Sequence, residues 1–400
     1  MLFKMAIRNV FRQKRRTLFT ALMMIGGFVL LSFSLAFIAG TYGDMISLFT
    51  AQTTGHVQIH NSQFVETESI HDGIQDWEKI GKTFEKRDEV RGFSFRIRGT
   101  ALAIHKEQTQ GAEILGIDWL NESNVTSVQK RLGRGKWPNS LGENEVVVGE
   151  KLSSILKVNL GDELILISQG ADGSIANDIF HIVGIFSKEE QGVDDYRVYI
   201  DLQSAQYFYA TNYVHEIVIK LDDIDKSRDF AKSLELTEGL TARAWQEIES
   251  DFYRAMQADK KGNNVSFVII MMVVALGVLN TVLMSILERK KEFGVLQALG
   301  TPPRMLAGLI ITETQIIVLI SLIFGCIIAS GINLYFTKFG ISLPEPMTYG
   351  GIKISSMFAR MTFESYLYPA IVIACSTLFI SIYPAWKVVS ISPTDAMREH

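Results

Sequence analysis

"ILERKKEFGVLQALGTPPRML", residues 286–306, is a short charged segment that joins two long apolar runs. It contains four cations and two acids, and it ends at Gly300, which Pro302 and Pro303 follow. A glycine followed by prolines ends a helix sharply, because glycine adopts the left-handed conformation and proline cannot continue the helix. The sequence therefore predicts a short amphipathic helix between two apolar helices.

The chain of 400 residues contains four largely apolar runs. They are Leu18 to Ile38, Val265 to Leu287, Ile316 to Phe336 and Tyr366 to Val389. Each run reaches the ~20 residues that a helix needs to cross a hydrocarbon core of about 30 Å. We therefore expect an integral membrane protein with four transmembrane helices.

Cations mark one side of these runs. Six precede the first run with no acid among them, and four lie in the segment 286–306. By the positive-inside rule both segments face the cytosol, so both termini are cytosolic and residues 41–262 and 338–365 lie outside. Residues 41–262 carry 24 Lys and Arg against 36 Asp and Glu, a net charge of −12, whereas the remaining residues carry 15 against 7, a net charge of +8. The charge distribution therefore supports this topology.

The predicted boundaries follow from the runs and their flanks. In order they are an interfacial helix at 1–16, transmembrane helix 1 at 17–40, an extracytoplasmic domain at 41–262, transmembrane helix 2 at 263–287, a cytosolic helix at 288–304, transmembrane helix 3 at 305–337, a short outer loop at 338–365, transmembrane helix 4 at 366–389 and a cytosolic tail at 390–400. The interfacial helix is predicted because Phe3, Ile7, Val10 and Phe11 share one face, which suits contact with membrane lipid. The alternative is a basic flank that only sets topology.

The extracytoplasmic segment alternates between strand and helix patterns. Strand patterns occur at 55–61, 99–105, 111–118, 162–168, 178–186, 197–200 and 214–221, a strand that runs into a helix at 144–158, and helix patterns at 74–84, 227–236 and 244–256. The two strands at 99–118 are expected to form a hairpin. The predicted fold class is therefore an α-helical integral membrane protein with a large extracytoplasmic α+β domain inserted between helices 1 and 2. Its cysteines, Cys326 and Cys375, both fall in predicted membrane helices, so this domain is expected to lack a disulfide.

Motifs for catalysis are missing from the sequence. "GKT" at 81–83 resembles a phosphate loop, but Asp76 stands where that motif needs its first glycine. His56 and His60 share a strand face, yet no third ligand lies at a suitable spacing, so a structural role is favoured over a metal site. Neither GxSxG nor HExxH occurs, and no basic patch is interleaved with aromatic residues. We expect no catalytic site, metal or cofactor in this chain, and no nucleic-acid partner.

Glu313 is an acid inside the third membrane helix, which makes it a functional candidate by default. A helix over 305–337 would be about 50 Å long and would exceed the hydrocarbon core by about 20 Å. Glu313 is therefore expected at the membrane interface, where a structural or elbow role is favoured. Small residues on helices 2 and 3 predict close helix packing, namely Gly277, Gly325, Ala329, Ser330 and Gly331.

The helix in the opening segment is predicted to bind a cytosolic partner. Its polar face would carry Arg289, Lys290, Lys291 and Glu292, and its apolar face Phe293, Val295, Leu296 and Leu299. A loop that only sets topology needs charge, but it needs neither an apolar face nor a double-proline stop.

Four stretches together resemble one protein family. "LNTVLMSILERKKEFGVLQALGTPPRML" at 279–306 is similar to the second membrane helix and coupling helix of FtsX-like ABC transporter permeases, also called type VII or mechanotransmission systems. This family includes MacB-type and lipoprotein-releasing LolC/LolE-type subunits. "AIRNVFRQKRRTLFTAL" at 6–22, "GENEVVVGEKLSSILKVNLGDELILIS" at 142–168 and "YPAWKVVSISPTDAMRE" at 383–399 resemble its entry helix, external domain and C-terminus. The resemblance covers essentially the whole chain in order, and it is strongest to the LolC/LolE type.

The resemblance implies a non-catalytic permease subunit in a bacterial inner membrane, with its large domain in the periplasm. ATP and Mg²⁺ would bind to a separate cytosolic ATPase dimer, and a second permease chain would complete a homo- or heterodimer. Residues 288–300 would be the coupling helix that enters a cleft of the ATPase. Buried contacts there would be Phe293, Gly294, Val295 and Leu296, with Arg289, Lys290 and Lys291 at the rim.

The resemblance also bears on which substrate the protein handles. A LolC-type chain carries a protruding hook that engages a periplasmic carrier, but the corresponding connection here, Gln169–Asn177, is short. The porter-like part of the domain is expected at roughly 120–225. Lipoprotein release, or extrusion of a related envelope substrate, is the favoured function. The alternative is an FtsX-like signal transmitter that regulates an extracytoplasmic partner such as a wall hydrolase.

Overall fold

The computed structural model describes residues 2–12, 14–138, 144–187, 194–349 and 352–389. Its chain divides into two compact units. The membrane unit comprises Met1–Asp44, Met256–Ser342 and the described residues from Ser356 onward. The second unit, called the inserted domain, comprises Met45–Ala255, and the segment Leu343–Ser355 is grouped with it. The predicted cytosolic tail at 390–400 lies outside the described residues.

The secondary structure is mixed. Helices α1 to α13 are Leu2–Arg12, Lys14–Phe49, Phe64–Thr67, Trp77–Phe84, Trp119–Val125, Glu150–Leu156, Leu202–Phe208, Ser227–Ser233, Trp245–Ile248, Ser250–Glu288, Lys290–Ala298, Pro303–Phe339 and Glu364–Val389. Strands β1 to β12 are Val57–Asn61, Val90–His105, Gln108–Ile117, Leu132–Gly135, Glu145–Val148, Glu163–Gln169, Ile175–Phe186, Arg197–Asp201, Glu216–Leu221, Leu240–Ala244, Ile341–Tyr349 and Ile352–Met357. A π-helical turn at Thr50–Thr54 follows α2 directly, and 3₁₀ turns lie at Val128–Arg131 and Ile224–Lys226.

Four helices are long and apolar enough to cross a membrane, which confirms the four predicted transmembrane helices. They are α2 with its π-helical turn, α10, α12 and α13. At 1.5 Å per residue, the 39 residues of α10 span about 58 Å, nearly twice a hydrocarbon core. The excess arises because α10 begins in the polar stretch that precedes Val265. Both α2 and α10 therefore continue from their apolar runs into residues that the sequence assigns to the domain at 41–262.

Small residues allow close contact between membrane helices, although fewer of them do so than predicted. A Cβ atom on Gly325 of α12 would lie 2.9 Å from Phe28 of α2, and one on Gly277 of α10 would lie 2.5 Å from the Met23 sulfur. Ala329 is also fully buried. Gly331, in contrast, is exposed and has no neighbour within 4 Å of a Cβ, so the prediction that it packs is wrong.

One ten-stranded sheet organises the inserted domain. Its order is β10-β1-β9-β2-β3-β8-β5-β7-β4, and β6 pairs with both β2 and β7. Pairs β3–β8 and β5–β7 are parallel, and the other pairs are antiparallel. The 16-residue strand β2 is long enough to pair with β9 along its first half and with β6 near its end. This strand therefore joins the two halves of the domain into one sheet.

The sheet also corrects the expected porter-like part at 120–225. Strands β4 to β8 form one half of the sheet, as expected. Strand β9, although it lies within 120–225, pairs with β1 and β2 and so belongs to the other half. The chain first completes the porter-like strands and then returns to the other half of the sheet at β9. A continuous sequence range cannot show which half a strand joins.

Most predicted elements of the domain are present. Strands β2 and β3 form the expected hairpin, with His105 opposite Gln108, and β5 runs into α6. A large core cluster packs one face of the strands, with Ile59, Val148 and Ile219 fully buried, and a smaller cluster that includes Leu115 and Val147 packs the other face. The prediction of a plain loop at 338–365 is incomplete, because β11 and β12 form a two-stranded sheet there.

The "GKT" stretch lies inside helix α4, where it has a structural role in packing the helix. Gly81 is buried, and a Cβ atom there would lie 2.5 Å from the ring of Phe95. The glycine therefore permits α4 to pack against β2. This position inside a helix is unlike the strand-to-helix turn of a phosphate loop.

Candidate functional site at the basic end of the membrane helices

Helix α11 is set off from both neighbouring membrane helices by defined caps. At its start, Arg289 breaks the regular helix between α10 and α11. At its end, Gly300 has φ of 92°, its N–H donates to the Gln297 carbonyl, and the Thr301 N–H donates to the Leu296 carbonyl. This pair of hydrogen bonds is a Schellman cap, in which only glycine takes the left-handed conformation without strain. Pro303 then opens α12, which confirms the predicted stop.

One side of α11 is packed into the membrane unit itself. Phe293 is only 1% exposed and lies in a cluster with residues of α10, α12 and α13. The cluster members are Ile286, Leu306, Ile310 and Val388, with Leu296 partly buried against them. Because one aromatic side chain contacts three helices, α11 is held in a fixed position against the membrane helices.

A buried ion pair fixes the junction between α10 and α11. Arg289 and Glu313 are each 8% exposed, and Arg289 Nη1 lies 3.1 Å from both carboxylate oxygens of Glu313. The Asn9 amide of α1 donates to the same carboxylate at 2.5 Å. Glu313 thus connects three elements through charge-assisted hydrogen bonds, which are stronger than neutral ones.

The position of Arg289 corrects the sequence analysis. The prediction that Arg289 faces outward at the rim is wrong, because its guanidinium is buried against Glu313 and lies 5.0 Å from the Phe293 ring centroid. A buried arginine requires a carboxylate partner, and Glu313 supplies it from 24 residues away. The expected structural role of Glu313 is consistent with this geometry.

Exposed ion pairs surround the buried one. Arg289 Nε donates to Glu292 at 2.9 Å, Arg12 lies 2.8 Å from Glu292, and Arg16 lies 3.4 Å from Glu288. The hydrogen bond from Arg289 holds the pKa of the Glu292 carboxyl below its usual range. Exposed pairs of this kind contribute about 0–1 kcal/mol each, whereas removing one partner of a buried pair is costly, so the geometry of the junction depends most on the buried pair.

The opposite side of α11 is exposed. Val295 is 49% exposed, Leu299 is 78% exposed, and Lys291 is also exposed. These three residues are four positions apart, so they form one stripe along the helix. We call Lys291, Val295 and Leu299 the outer stripe.

The outer stripe replaces part of the predicted contact set. Phe293 and Gly294 are buried within the chain, and Leu296 is partly buried, so these side chains do not form the outward surface. Val295 does, and Leu299 joins it. The separation of these residues could have been predicted from helical geometry alone, because residues two apart, such as Phe293 and Val295, cannot share one face of a helix.

Metal ligands are not clustered in the described part of the chain. No group of three or more His, Cys, Asp or Glu residues could hold an ion there. His60 Nε2 lies 2.9 Å from Gln58 Oε1, and His56 Nδ1 accepts a hydrogen bond from the Leu221 N–H. Burial, with nearby Lys220 and Arg91, lowers the pKa of His56 to about 4. Both histidines therefore act as neutral structural groups.

Two family matches together cover most of the chain. The family described as MacB-like periplasmic core domain matches residues 17–236, which is more than half of the chain, and FtsX-like permease C-terminal matches residues 264–393. The chain belongs to the FtsX-like ABC transporter permeases that carry a MacB-like periplasmic core domain. The resemblance found in the sequence is thereby confirmed.

Individual relatives are distant. The lipoprotein-releasing system transmembrane protein LolC of Xylella fastidiosa is 22% identical over 345 residues, which cover 81% of this chain and 82% of LolC. LolE of Haemophilus influenzae is 19% identical over 340 residues, which cover 82% of each chain. Among solved structures, the periplasmic region of MacB from Actinobacillus actinomycetemcomitans is 15% identical with a TM-score of 0.37, covering 51% of this chain and 94% of that one.

Proposed function

We propose that this permease is driven by a separate cytosolic ATPase, which binds ATP and Mg²⁺ and moves the inserted domain through the membrane helices. The observation that carries the proposal is the two-sided packing of α11. Its inner side is fixed by Phe293 and by the Arg289–Glu313 pair, whereas its outer stripe is left open. A helix fixed on one side and apolar on the other is suited to transmit force from a partner.

The outer stripe is the proposed contact with the ATPase. Leu299 and Val295 present apolar surface next to the cation of Lys291. Apolar groups rimmed by charge at the aqueous end of a membrane protein favour a protein partner over water. Buried Phe293 and Gly294 support the helix from behind and are assigned no direct contact.

Force applied to α11 reaches two membrane helices. Arg289 ties the start of α11 to Glu313 of α12, and Pro303 begins α12 three residues after the glycine cap. Since α10 precedes α11 directly, the helix cannot shift without moving α10 or breaking the buried pair. We therefore assign Arg289 and Glu313 as positioning residues that make the junction rigid.

The proposed orientation places α11 in the cytosol and the inserted domain in the periplasm of a bacterial inner membrane. The positive-inside rule supports it, because α11 and the N-terminal segment carry the cations. A second permease chain, identical or related, would complete the membrane part of the complex. The chain itself is proposed to be non-catalytic, with hydrolysis confined to the ATPase.

Envelope lipoproteins are the proposed cargo, and the names of the relatives LolC and LolE support this choice. The connection corresponding to a LolC hook is a tight turn, Gly170–Ser174, in which Asp172 accepts a hydrogen bond from the Ser174 N–H. The turn itself contains only Gly, Ala, Asp and Ser, and Ile175 directly after it is 82% exposed. The proposal therefore assigns no carrier contact to this turn.

Site-specific photo-cross-linking tests the contact surface. A photoreactive phenylalanine analogue is placed in native membranes at Leu299, at buried Phe293, and at Leu319, which is exposed on α12. We expect an ATP-binding protein to be cross-linked from Leu299 and from neither of the other positions. Cross-linking from Phe293 but not Leu299 would contradict the assigned surface, and its absence from both would contradict the ATPase partner.

Metabolic labelling tests the cargo. Cells are grown with radioactive palmitate, and lipoproteins that co-purify with the tagged chain are compared with and without ATP. We expect bound lipoprotein to be released on ATP addition. Recovery of a wall hydrolase in place of lipoprotein would instead support the signal-transmitter function.

A further inference from the structure

The helix that carries the first membrane span ends inside the inserted domain in a π-helical turn. Helix α2 passes directly into Thr50–Thr54, and Gly55 ends the turn with φ of 60° and an N–H donated to the Thr50 carbonyl at 2.9 Å. The last carbonyls of a helix lack intrahelical partners and need others. Single π-helical turns are also frequent at functional positions.

Three successive carbonyls of this turn are captured by residues distant in sequence. The pairs are Ser127 N to Ala51 O at 2.6 Å, Arg131 Nη2 to Gln52 O at 3.1 Å and Arg96 Nη1 to Thr53 O at 2.6 Å. Three successive residues cover more than half a turn of a helix. The end of α2 is therefore held around most of its circumference. We call these six residues the exit joint.

Arg96 reaches its carbonyl from a rigid base. It is buried in β2, and Glu122 of α5 accepts from Nη2 at 2.6 Å and from Nε at 3.1 Å. Glu216 of β9 lies 3.6 Å from the same guanidinium. Glu122 in turn accepts a hydrogen bond from Thr126 at 2.7 Å. One arginine thus links the helix end to three elements of the inserted domain.

Arg131 is held in the same manner by the other half of the sheet. Its guanidinium pairs with Asp194, which accepts a hydrogen bond from the Tyr199 hydroxyl at 2.6 Å, and it lies 5.8 Å from the Phe186 ring centroid. Tyr199 is in β8 and Phe186 ends β7, whereas the partners of Arg96 are in β9 and α5. The two arginines therefore connect the end of α2 to both halves of the sheet.

The chemistry of the exit joint suits force transmission better than simple stabilisation. Buried ion pairs contribute little net stability, but they fix geometry, because leaving either charge unpaired is costly. The carbonyl end of a helix carries partial negative charge, which attracts the two guanidinium groups. Hydrogen bonds at 2.6–3.1 Å are lost when the donor and acceptor separate by about 1 Å, so the helix end cannot slide freely.

We propose that the exit joint is the coupling element through which displacement of the first membrane helix drives the inserted domain. Arg96, Arg131 and Ser127 act as positioning residues that convert movement of α2 into movement of the sheet. This inference rests on the proposed ATP-driven function. It adds the place where movement leaves the membrane helix and the residues that carry it.

Hydrogen exchange on the intact complex, purified with its ATPase, tests the exit joint. Exchange is compared with and without ATP and vanadate in two peptides, the helix end at 41–54 and the domain side at 90–125. Ser127→Pro removes the N–H donor and the hydroxyl, and the extended conformation of Thr126 is compatible with a following proline. Ser127→Ala is an intermediate variant, since it keeps the N–H but loses the hydroxyl, which also donates to the Ala51 carbonyl at 3.1 Å. Arg131→Lys keeps a charge beside Asp194, and exposed Arg134→Gln is its control.

In the wild type we expect nucleotide to change exchange in both peptides. In Ser127→Pro and Arg131→Lys the helix end should still respond and ATP turnover should persist, while the domain response falls by roughly fivefold, as expected for lost hydrogen bonds. The domain response of Ser127→Ala should lie between those of the wild type and Ser127→Pro, and Arg134→Gln should behave as the wild type. Thermal melting shows whether either variant fails to fold. If Ser127→Pro or Arg131→Lys does, the domain response of the other one tests the exit joint.

Two outcomes overturn the inference separately. An undiminished domain response in either folded variant, or a wild-type response confined to the helix end, refutes the exit joint but leaves the ATPase coupling intact. A wild type without any nucleotide response in either peptide refutes the proposed function, and the exit joint with it.

Discussion

Replacing Glu313 by glutamine removes the charge that neutralises buried Arg289 while changing the side-chain volume very little. The carboxylate accepts from Arg289 at 3.1 Å through both oxygens and from Asn9 at 2.5 Å. After Glu313→Gln, the remaining acid partner of Arg289 among its described ion pairs is Glu292, which is more exposed. The guanidinium is then only partly compensated in a buried position.

The expected cost follows from that geometry. Removing one partner of a buried ion pair costs about 3–5 kcal/mol. Glutamine keeps one acceptor oxygen, so the lower value of about 3 kcal/mol applies to Glu313→Gln. Since about 1.4 kcal/mol corresponds to a factor of ten, the equilibrium constant for local opening of the junction should rise roughly 10²-fold.

Amide hydrogen exchange of the full chain in nanodiscs measures this opening in the peptide that covers 289–300. Glu292→Gln is the matched control, because it makes the same chemical change beside the same arginine at an exposed position, where about 0–1 kcal/mol is expected. A third variant, Arg289→Met with Glu313→Leu, removes both charges. Its exchange should return to within about tenfold of the wild type, since replacing a buried pair by apolar residues is often neutral.

Equal exchange in Glu313→Gln and Glu292→Gln would refute this reasoning. It would mean that the buried pair does not hold the junction and that Phe293 packing alone does. Failure of the double variant to recover would show that the charges themselves, and not only their imbalance, are required.

Three further predictions concern other parts of the chain. The inserted domain should lose stability as the pH falls from about 6.5 to about 4, because burial lowers the pKa of His56 and His60 and the unfolded state therefore binds more protons. The urea midpoint should fall between pH 7.5 and pH 4, and a midpoint that does not change with pH would contradict this. Phe293→Ala should destabilise the junction by about 3–5 kcal/mol, measured by the same exchange assay. Gly55→Ala should lower the melting temperature more than Gly173→Ala, because both have positive φ but only Gly55 would place a Cβ 2.5 Å from a valine methyl of β9.

Membrane spans and most strands could be predicted from the sequence because each depends on local pattern. An apolar run of ~20 residues and a period-two alternation are both readable within a short window. The continuous sheet could not be predicted in the same way. It depends on the pairing of β2 with β9 and with β6, in which the paired residues are some 60 to 130 residues apart along the chain. Register over such separations is set by tertiary packing.

The candidate site likewise has features that could be predicted from the sequence and features that could not. The position, caps and amphipathic character of α11 follow from residues 286–306 alone. Which cation of the Arg289–Lys291 run is buried depends on Glu313, and no local pattern connects the two. The exit joint was also missed, because Arg96 and Arg131 stand in ordinary strand and turn patterns and acquire their role only from the carbonyls they meet.

Affinity purification from native membranes tests the central claim, that a cytosolic ATPase binds the outer stripe of α11. The tagged wild type is compared with a Val295→Asp/Leu299→Asp double variant and with Leu120→Asp, which changes an exposed apolar residue of the inserted domain. The account predicts an ATP-hydrolysing partner with the wild type and Leu120→Asp, and its loss with the double variant. Equal recovery of that ATPase with all three chains, or its absence from the wild type, would contradict the account.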